Sequence, residues 1–315
     1  MAVWPGMVSM PGAHKQQPED RYMKTLVSPF AARLCLVVAS FAKRSLAPRS
    51  LAPRSLAPRS LALTSLIIWC LAGPAMAKPL YPNSVVSNDH EFIATSDDSV
   101  FACITFDGRR TAEMPDKRKD GLMAKNTFIF NARYRDRTKV GIWAHPDFGS
   151  QEKAVKSVMP AAEAIDKLPT FMRKKLQHVV IHRGDETAFG EREGHFFVLY
   201  SENIKTRIRN HDFEETVFHE SVHATLDKKY ARSKKWRAAQ KADGDFVTKY
   251  AKRNPEGEDL AESGLFAWTL IMHPGRLPEK VEAKVRKIMP HRIAFFEKLF
   301  LAKPVFSRTD YAPKC

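Results

Sequence analysis

Apolar and polar residues keep two different rhythms along this chain. In SVFACITF (99–106) they alternate, with Val100, Ala102, Ile104 and Phe106 on one side, which predicts a half-buried strand ending at an Asp107-Gly108 turn. TFIFNARY (127–134) and KVGIWAH (139–145) read as two more strands, joined through the basic loop RDRT. From residue 150 the period lengthens. SQEKAVKSVMPAAEAIDKL (150–168) sets Ala154, Val158, Ala161, Ile165 and Leu168 on one helical face, with Pro160 placed to kink or split it. QHVVIH (177–182) and GHFFVLYS (194–201) are short apolar runs that predict strands.

The best-marked helix is HDFEETVFHESVHATLDKKY (211–230). Asp212 and Glu215 make a capping-box pattern, acids fill the first turn, and Lys228 and Lys229 sit in the last. A second helix is expected from about Ser233 through Tyr250. A third should start at Asn254-Pro255, run through EGEDLAESGLFAWTLIM and stop at His273-Pro274-Gly275. Closing helices flank Pro290. Strands first and helices afterwards predict an α+β fold.

Composition changes this picture mainly at the start. Residues 45–59 repeat SLAPR three times, a proline-bearing unit too short to bury a face. LALTSLIIWCLAGPAMA (61–77) follows, uncharged and ending in Ala75-Met76-Ala77, the order of a secretory signal. Residues 1–77 are therefore read as a leader, 78–149 as a β-rich N-terminal region and 150–315 as the main domain. The protein is expected to be secreted or periplasmic, or membrane-anchored if the 61–77 segment is retained.

The whole chain has 51 basic and 35 acidic residues. The leader holds 9 of the basic and 2 of the acidic ones, which leaves 42 against 33, a net +9. Such a balance suits contact with an anionic cell surface. No aromatic-interleaved basic strip or nucleic-acid motif accompanies it, so no nucleic-acid partner is expected. Outside the leader only Cys103 and Cys315 remain; in an exported chain they could pair, and neither has metal-ligand neighbours.

The chemistry concentrates in HESVH (219–223). Side chains four apart share a helix face, so His219 and His223 can offer two imidazole nitrogens to one ion. Glu220 is turned about 100° around the axis, beside the ion rather than on it. A bound divalent cation lowers the pKa of water from 15.7 to about 7, and a neighbouring carboxylate can take the proton. The bare motif also arises by chance, so the flanks matter: Val217, Phe218, Ser221, Val222 and Ala224 are all uncharged, as in a helix lying under a cleft. RNPEGEDLAESGLFAW (253–268) supplies Glu258 and Glu262, four apart, either of which could be a third ligand with the other behind a histidine. Alternatively both are a solvated acidic first turn.

HESVH followed by EDLAES resembles the gluzincin class of zinc metallopeptidases, and locally the family of the anthrax lethal factor catalytic domain and related secreted bacterial metallopeptidases. The resemblance covers about residues 177–270. It implies Zn2+ held by His219, His223 and Glu258, with Glu262 as the supporting residue. Glu220 would be the general base for a zinc-activated water, and peptides or proteins the substrate. Tyr250 falls near the place of an oxyanion-stabilising tyrosine, or is an ordinary core tyrosine. The implied fold is zincin-like: a small mixed sheet whose antiparallel edge strand, GHFFVLYS, packs on the metal helix, followed by a helical C-terminal subdomain. His195 would then lie near the cleft, His182 would be structural, and His211 would precede the metal helix. Asp227 is expected to end the helix rather than support His223. The competing reading is a non-catalytic basic surface-binding module with a vestigial or structural metal site.

Overall fold

Six strands share one mixed sheet. In this computed structural model, which describes residues 78–85, 89–302, 305, 306 and 311–315, they are β1 (Phe101–Glu113), β2 (Met123–Tyr134), β3 (Lys139–Ala144), β4 (His178–His182), β5 (Phe189–Glu191) and β6 (Phe196–Tyr200). Their spatial order is β1-β2-β3-β4-β6-β5. The leader expectations lie outside the described residues. Among those described, no helix is long and apolar enough to cross a membrane.

β1, β2 and β3 form an antiparallel meander, closed by the expected RDRT loop with Arg137 at φ 65°. β3–β4 and β4–β6 are parallel, and β5 returns antiparallel to β6. The sheet thus runs without a break across residue 150, where the sequence suggested a boundary.

Two strand expectations need correction. Asp107-Gly108 does not end β1. Gly108 takes φ 83° in a bulge, after which Arg109 pairs with Phe128 and stacks its guanidinium 4.1 Å over that ring. The positive φ a tight turn would need is spent inside the strand. Nor is GHFFVLYS the sheet edge: β6 is paired on both sides and buried throughout. Its unbroken apolar run suits a strand covered on both faces. The edge on that side of the sheet is the three-residue β5.

α1 (Gln151–Asp166) and α4 (Phe213–Val222) pack on one face of the sheet and enclose the main core, with α2 (Thr170–Arg173) and α3 (Ser201–Arg209) as connectors. Pro160 sits inside α1 without interrupting it. α4 continues through a π-helical turn, His223–Asp227, into α5 (Lys228–Tyr230). Beyond it, α6 (Lys234–Asp243), α7 (Lys249–Arg253), α8 (Asp259–Met272), α9 (Glu279–Ile288) and α10 (Pro290–Phe300) form the helical C-terminal part. Phe218 of α4 meets Trp268 of α8 at 5.5 Å between ring centroids, and Trp268 meets Phe300 at 5.3 Å. Such pairs contribute about 0.5–1.5 kcal/mol each beyond their buried area.

The helix from Ser233 is shorter than its pattern implied. Gly244, left-handed at φ 72°, ends α6, and the chain then runs beside Leu80–Pro82 before α7 begins. Asn254 does not cap the third helix. Its N–H closes α7 on the Tyr250 carbonyl, so α8 starts only after Glu258.

The capping box at α4 does not form either. Asp212 accepts from Arg207 at 2.8 Å, while Glu215 Oε1 accepts the backbone N–H groups of Phe92 and Ile93 at 2.9 and 3.1 Å. Burial pushes the Glu215 carboxyl up from 4.5 to about 7, against the pull of those N–H groups. Because the folded state then holds the proton more tightly, this carboxyl is fully accommodated below about pH 4.5. Its contribution is lost as pH rises to about 7, a swing on the order of 3 kcal/mol. Denaturation midpoints measured from pH 5 to pH 8 are expected to fall for the native chain relative to Glu215→Gln. Parallel profiles would refute this.

Candidate metal centre

α4 carries its chemistry on a buried face. His219 is 9% exposed and Glu220 8% exposed, and α8 lies across them. The start of α8 is fixed from two sides. Asp259, its first residue and fully buried, accepts from Arg292 of α10 at 2.6 Å and from Gln240 of α6 at 2.8 Å. That anchor sets the preceding residue, Glu258, opposite the two histidines.

His219 Nε2 and His223 Nε2 lie 3.2 Å apart. Glu258 Oε2 lies 3.6 Å from the first and 3.2 Å from the second. A tetrahedral ion with ligand bonds of about 2.0–2.1 Å separates its ligand atoms by about 3.3 Å. The three atoms therefore outline one face of such a tetrahedron. A shared proton or a metal ion among them would offset the repulsion of two imidazole nitrogens and a carboxylate oxygen this close together. Burial opposes ionisation of Glu258, yet the imidazoles of His219 and His223 beside it outweigh burial and hold the carboxyl well below the usual range. Burial likewise works against charged imidazoles; the hydrogen bond to Asp227 and the Glu258 carboxylate reverse the sign for His223, and the Glu258 carboxylate does so for His219, so both are raised.

Each histidine is backed by an acid. His223 Nδ1 meets Asp227 Oδ2 at 2.7 Å across the π turn. Asp227 is thus a supporting acceptor rather than merely the helix end, correcting the sequence reading. The four-residue spacing that joins the two histidines also joins His223 to Asp227. Glu262, 2% exposed, faces His219 Nδ1 at 3.7 Å, beyond hydrogen-bond reach, and accepts the Ser84 hydroxyl at 3.0 Å. His219 Nδ1 is itself buried, with no hydrogen-bond partner among the described residues. Glu262 therefore lies behind His219, and its bonds go to Ser84 and Thr248.

No family model matches this chain, and neither a curated protein nor a solved structure does.

Glu220 stands beside the triad, not in it. Burial raises its carboxyl, and the charges of His219 and His223 only partly offset this. Its backbone and side chain face β5 at Gly190. A Cβ there would come within 2.4 Å of His223 Cβ, 2.9 Å of Glu220 O and 3.4 Å of Glu220 Oε2. Only glycine lets the edge strand lie this close to α4. Gly190→Ala should separate strand from helix and cost about 1–3 kcal/mol, the usual penalty of overpacking. Thermal unfolding with Gly257→Ala as a control, where a Cβ meets open space, would test it. Equal losses would count against a special contact.

Tyr250 is half-buried in the first turn of α7, its N–H on the Pro82 carbonyl, on the helix that packs against α8. His195, at φ 52°, pairs its Nδ1 with Ala224 O at 2.8 Å and braces the π turn. His182 is 1% exposed, and burial pushes its imidazole down to about 4; its Nε2 contacts Pro115 O at 3.0 Å. His211 is exposed just before α4. Cys103 and Cys315 form a disulfide. Sequence reasoning missed Ser84 and Gly190. Neither carries a local signal, because their importance comes from partners 178 and 30 residues away.

Proposed function

We propose that this chain is an exported zinc metallopeptidase of the gluzincin type, with a zincin-like arrangement of edge strand over metal helix. The observation that carries the reading is the triangle of His219, His223 and Glu258 ligand atoms, with sides of 3.2, 3.2 and 3.6 Å. Two histidines and one carboxylate leave coordination positions open, as a catalytic rather than a closed structural site requires. Zinc held there would act as a Lewis acid on a substrate carbonyl and make water nucleophilic near neutral pH.

The chain's own residues supply the rest. Glu220, buried and adjacent, accepts the proton of the attacking water and returns it to the leaving amine. Asp227 fixes the tautomer and orientation of His223, while Glu262, held by Ser84 and Thr248, places its carboxyl behind His219 without a hydrogen bond to it. Tyr250 is assigned the oxyanion contact. The outer edge of β5 offers backbone groups to an extended peptide beside Glu220. The Cys103–Cys315 disulfide suits an oxidising compartment and agrees with the secretory order of residues 61–77. A structural site would have no use for Glu220, which weighs against a non-catalytic binding module.

Elemental analysis of the purified protein is expected to return one zinc per chain, with Glu258→Gln losing it. Glu262→Gln should weaken binding by roughly 10- to 100-fold. Failure to retain zinc supplied at neutral pH would overturn the proposal.

A further inference from the structure

The loop between β1 and β2 carries the charged run Asp116-Lys117-Arg118-Lys119-Asp120, and it is held against the start of β5. The Tyr200 hydroxyl accepts the Lys117 N–H at 3.1 Å and donates to Asp116 Oδ1 at 3.2 Å. Arg118 clasps the Asp116 carboxylate at 2.9 and 2.7 Å and donates to the Arg183 carbonyl at 2.7 Å. The charge of Asp116 is thereby engaged within the loop.

Lys117 has a different environment. Its Nζ donates to Thr187 Oγ1 at 2.9 Å and to Ala188 O at 3.3 Å, and lies 5.1 Å from the centre of the Phe189 ring. These partners are all neutral. An ammonium has three donors, so one hydrogen remains available on an exposed side chain, and the carboxylate that its charge reaches is Glu220, whose ionised form it favours. Ala188 is two residues before Gly190, where β5 touches Glu220 and His223. Two strand residues span roughly 7 Å. A peptide extended along β5 with its reacting carbonyl at Glu220 would therefore present a residue roughly two or three places from that bond to Lys117.

We propose that Lys117 is a specificity residue that binds a carboxylate of the substrate, so that the cleft selects peptides bearing an acidic side chain or a free C-terminus roughly two or three residues from the cleaved bond. This rests on the peptidase reading. A purely structural Lys117, tethering its loop to Thr187 and Ala188, would be indifferent to the charge of the peptide.

The test uses the full chain carrying Glu220→Gln, supplied with zinc, and fluorescence anisotropy with short labelled peptides. A single position is scanned as Glu, Gln or Lys, and each peptide is made with a free and an amidated C-terminus. Glu peptides, or free-acid peptides, should bind about fivefold more tightly than their neutral counterparts. The Gln and amide arms tell the two carboxylate sources apart. Adding Lys117→Glu should reverse the preference toward Lys. Equal binding of acidic and neutral peptides, an acidic preference that survives Lys117→Glu, or no binding of any peptide would overturn the inference. Cleavage by the native chain is scored separately. Hydrolysis without charge preference would remove the role of Lys117 and leave the peptidase reading standing, and acid-selective binding without hydrolysis would do the reverse.

Discussion

Glu220→Gln should keep one zinc per chain and lose peptide hydrolysis by roughly 10²- to 10⁴-fold, the usual contribution of a positioned general base. The reasoning is geometric. The carboxylate belongs to the metal helix but not to the triangle formed by His219, His223 and Glu258, so its removal leaves the ligand set intact. Glutamine has nearly the same shape and cannot accept the proton. Elemental analysis and a quenched-fluorescence peptide assay on the same preparation separate the two effects. Zinc lost together with activity would make Glu220 a ligand, and activity retained with zinc present would remove it from the chemistry.

Opening the Cys103–Cys315 disulfide should lower the free energy of unfolding by about 2–5 kcal/mol, read from urea denaturation of Cys103→Ser against the oxidised chain. The bond joins residues separated by 212 positions, and chain-entropy arguments assign the largest effects to such long loops. Cys103 lies in β1, at the opposite end of the sheet from β5. Zinc stoichiometry should therefore be unchanged by the same substitution. Coincident denaturation curves would mean that the bridge does not constrain the unfolded chain.

What could be read from the sequence was the local chemistry. HESVH and EDLAES each lie within one helix or its first turn, so spacing alone put His219 beside His223 and Glu258 beside Glu262. The α+β order of elements was legible for the same reason. What failed depended on context. GHFFVLYS looks alike as an edge or a buried strand until its neighbours are known. Asp107-Gly108 signals a positive φ, which a bulge uses as readily as a turn. Asn254-Pro255 reads as a helix start, but Asn254 is taken up in closing α7. Asp227 had the right spacing to His223, yet an acid near a helix end fits several roles. Ser84 and Gly190 had no readable signal, because each matters only through residues distant in sequence.

The strand order also bears on when this site can come into being. β1-β2, β2-β3 and β5-β6 join near neighbours and can zip soon after collapse, whereas the parallel β3-β4 and β4-β6 pairs must wait for longer loops to close. The centre also depends on long-range contacts: Glu258 must reach His219, and Ser84 must cross 178 residues to Glu262. A nascent or half-folded chain therefore holds HESVH without Glu258 beside it or the contact behind Glu262. The four-residue spacing of HESVH exists in the unfolded chain, but the triangle exists only once the long-range contacts close.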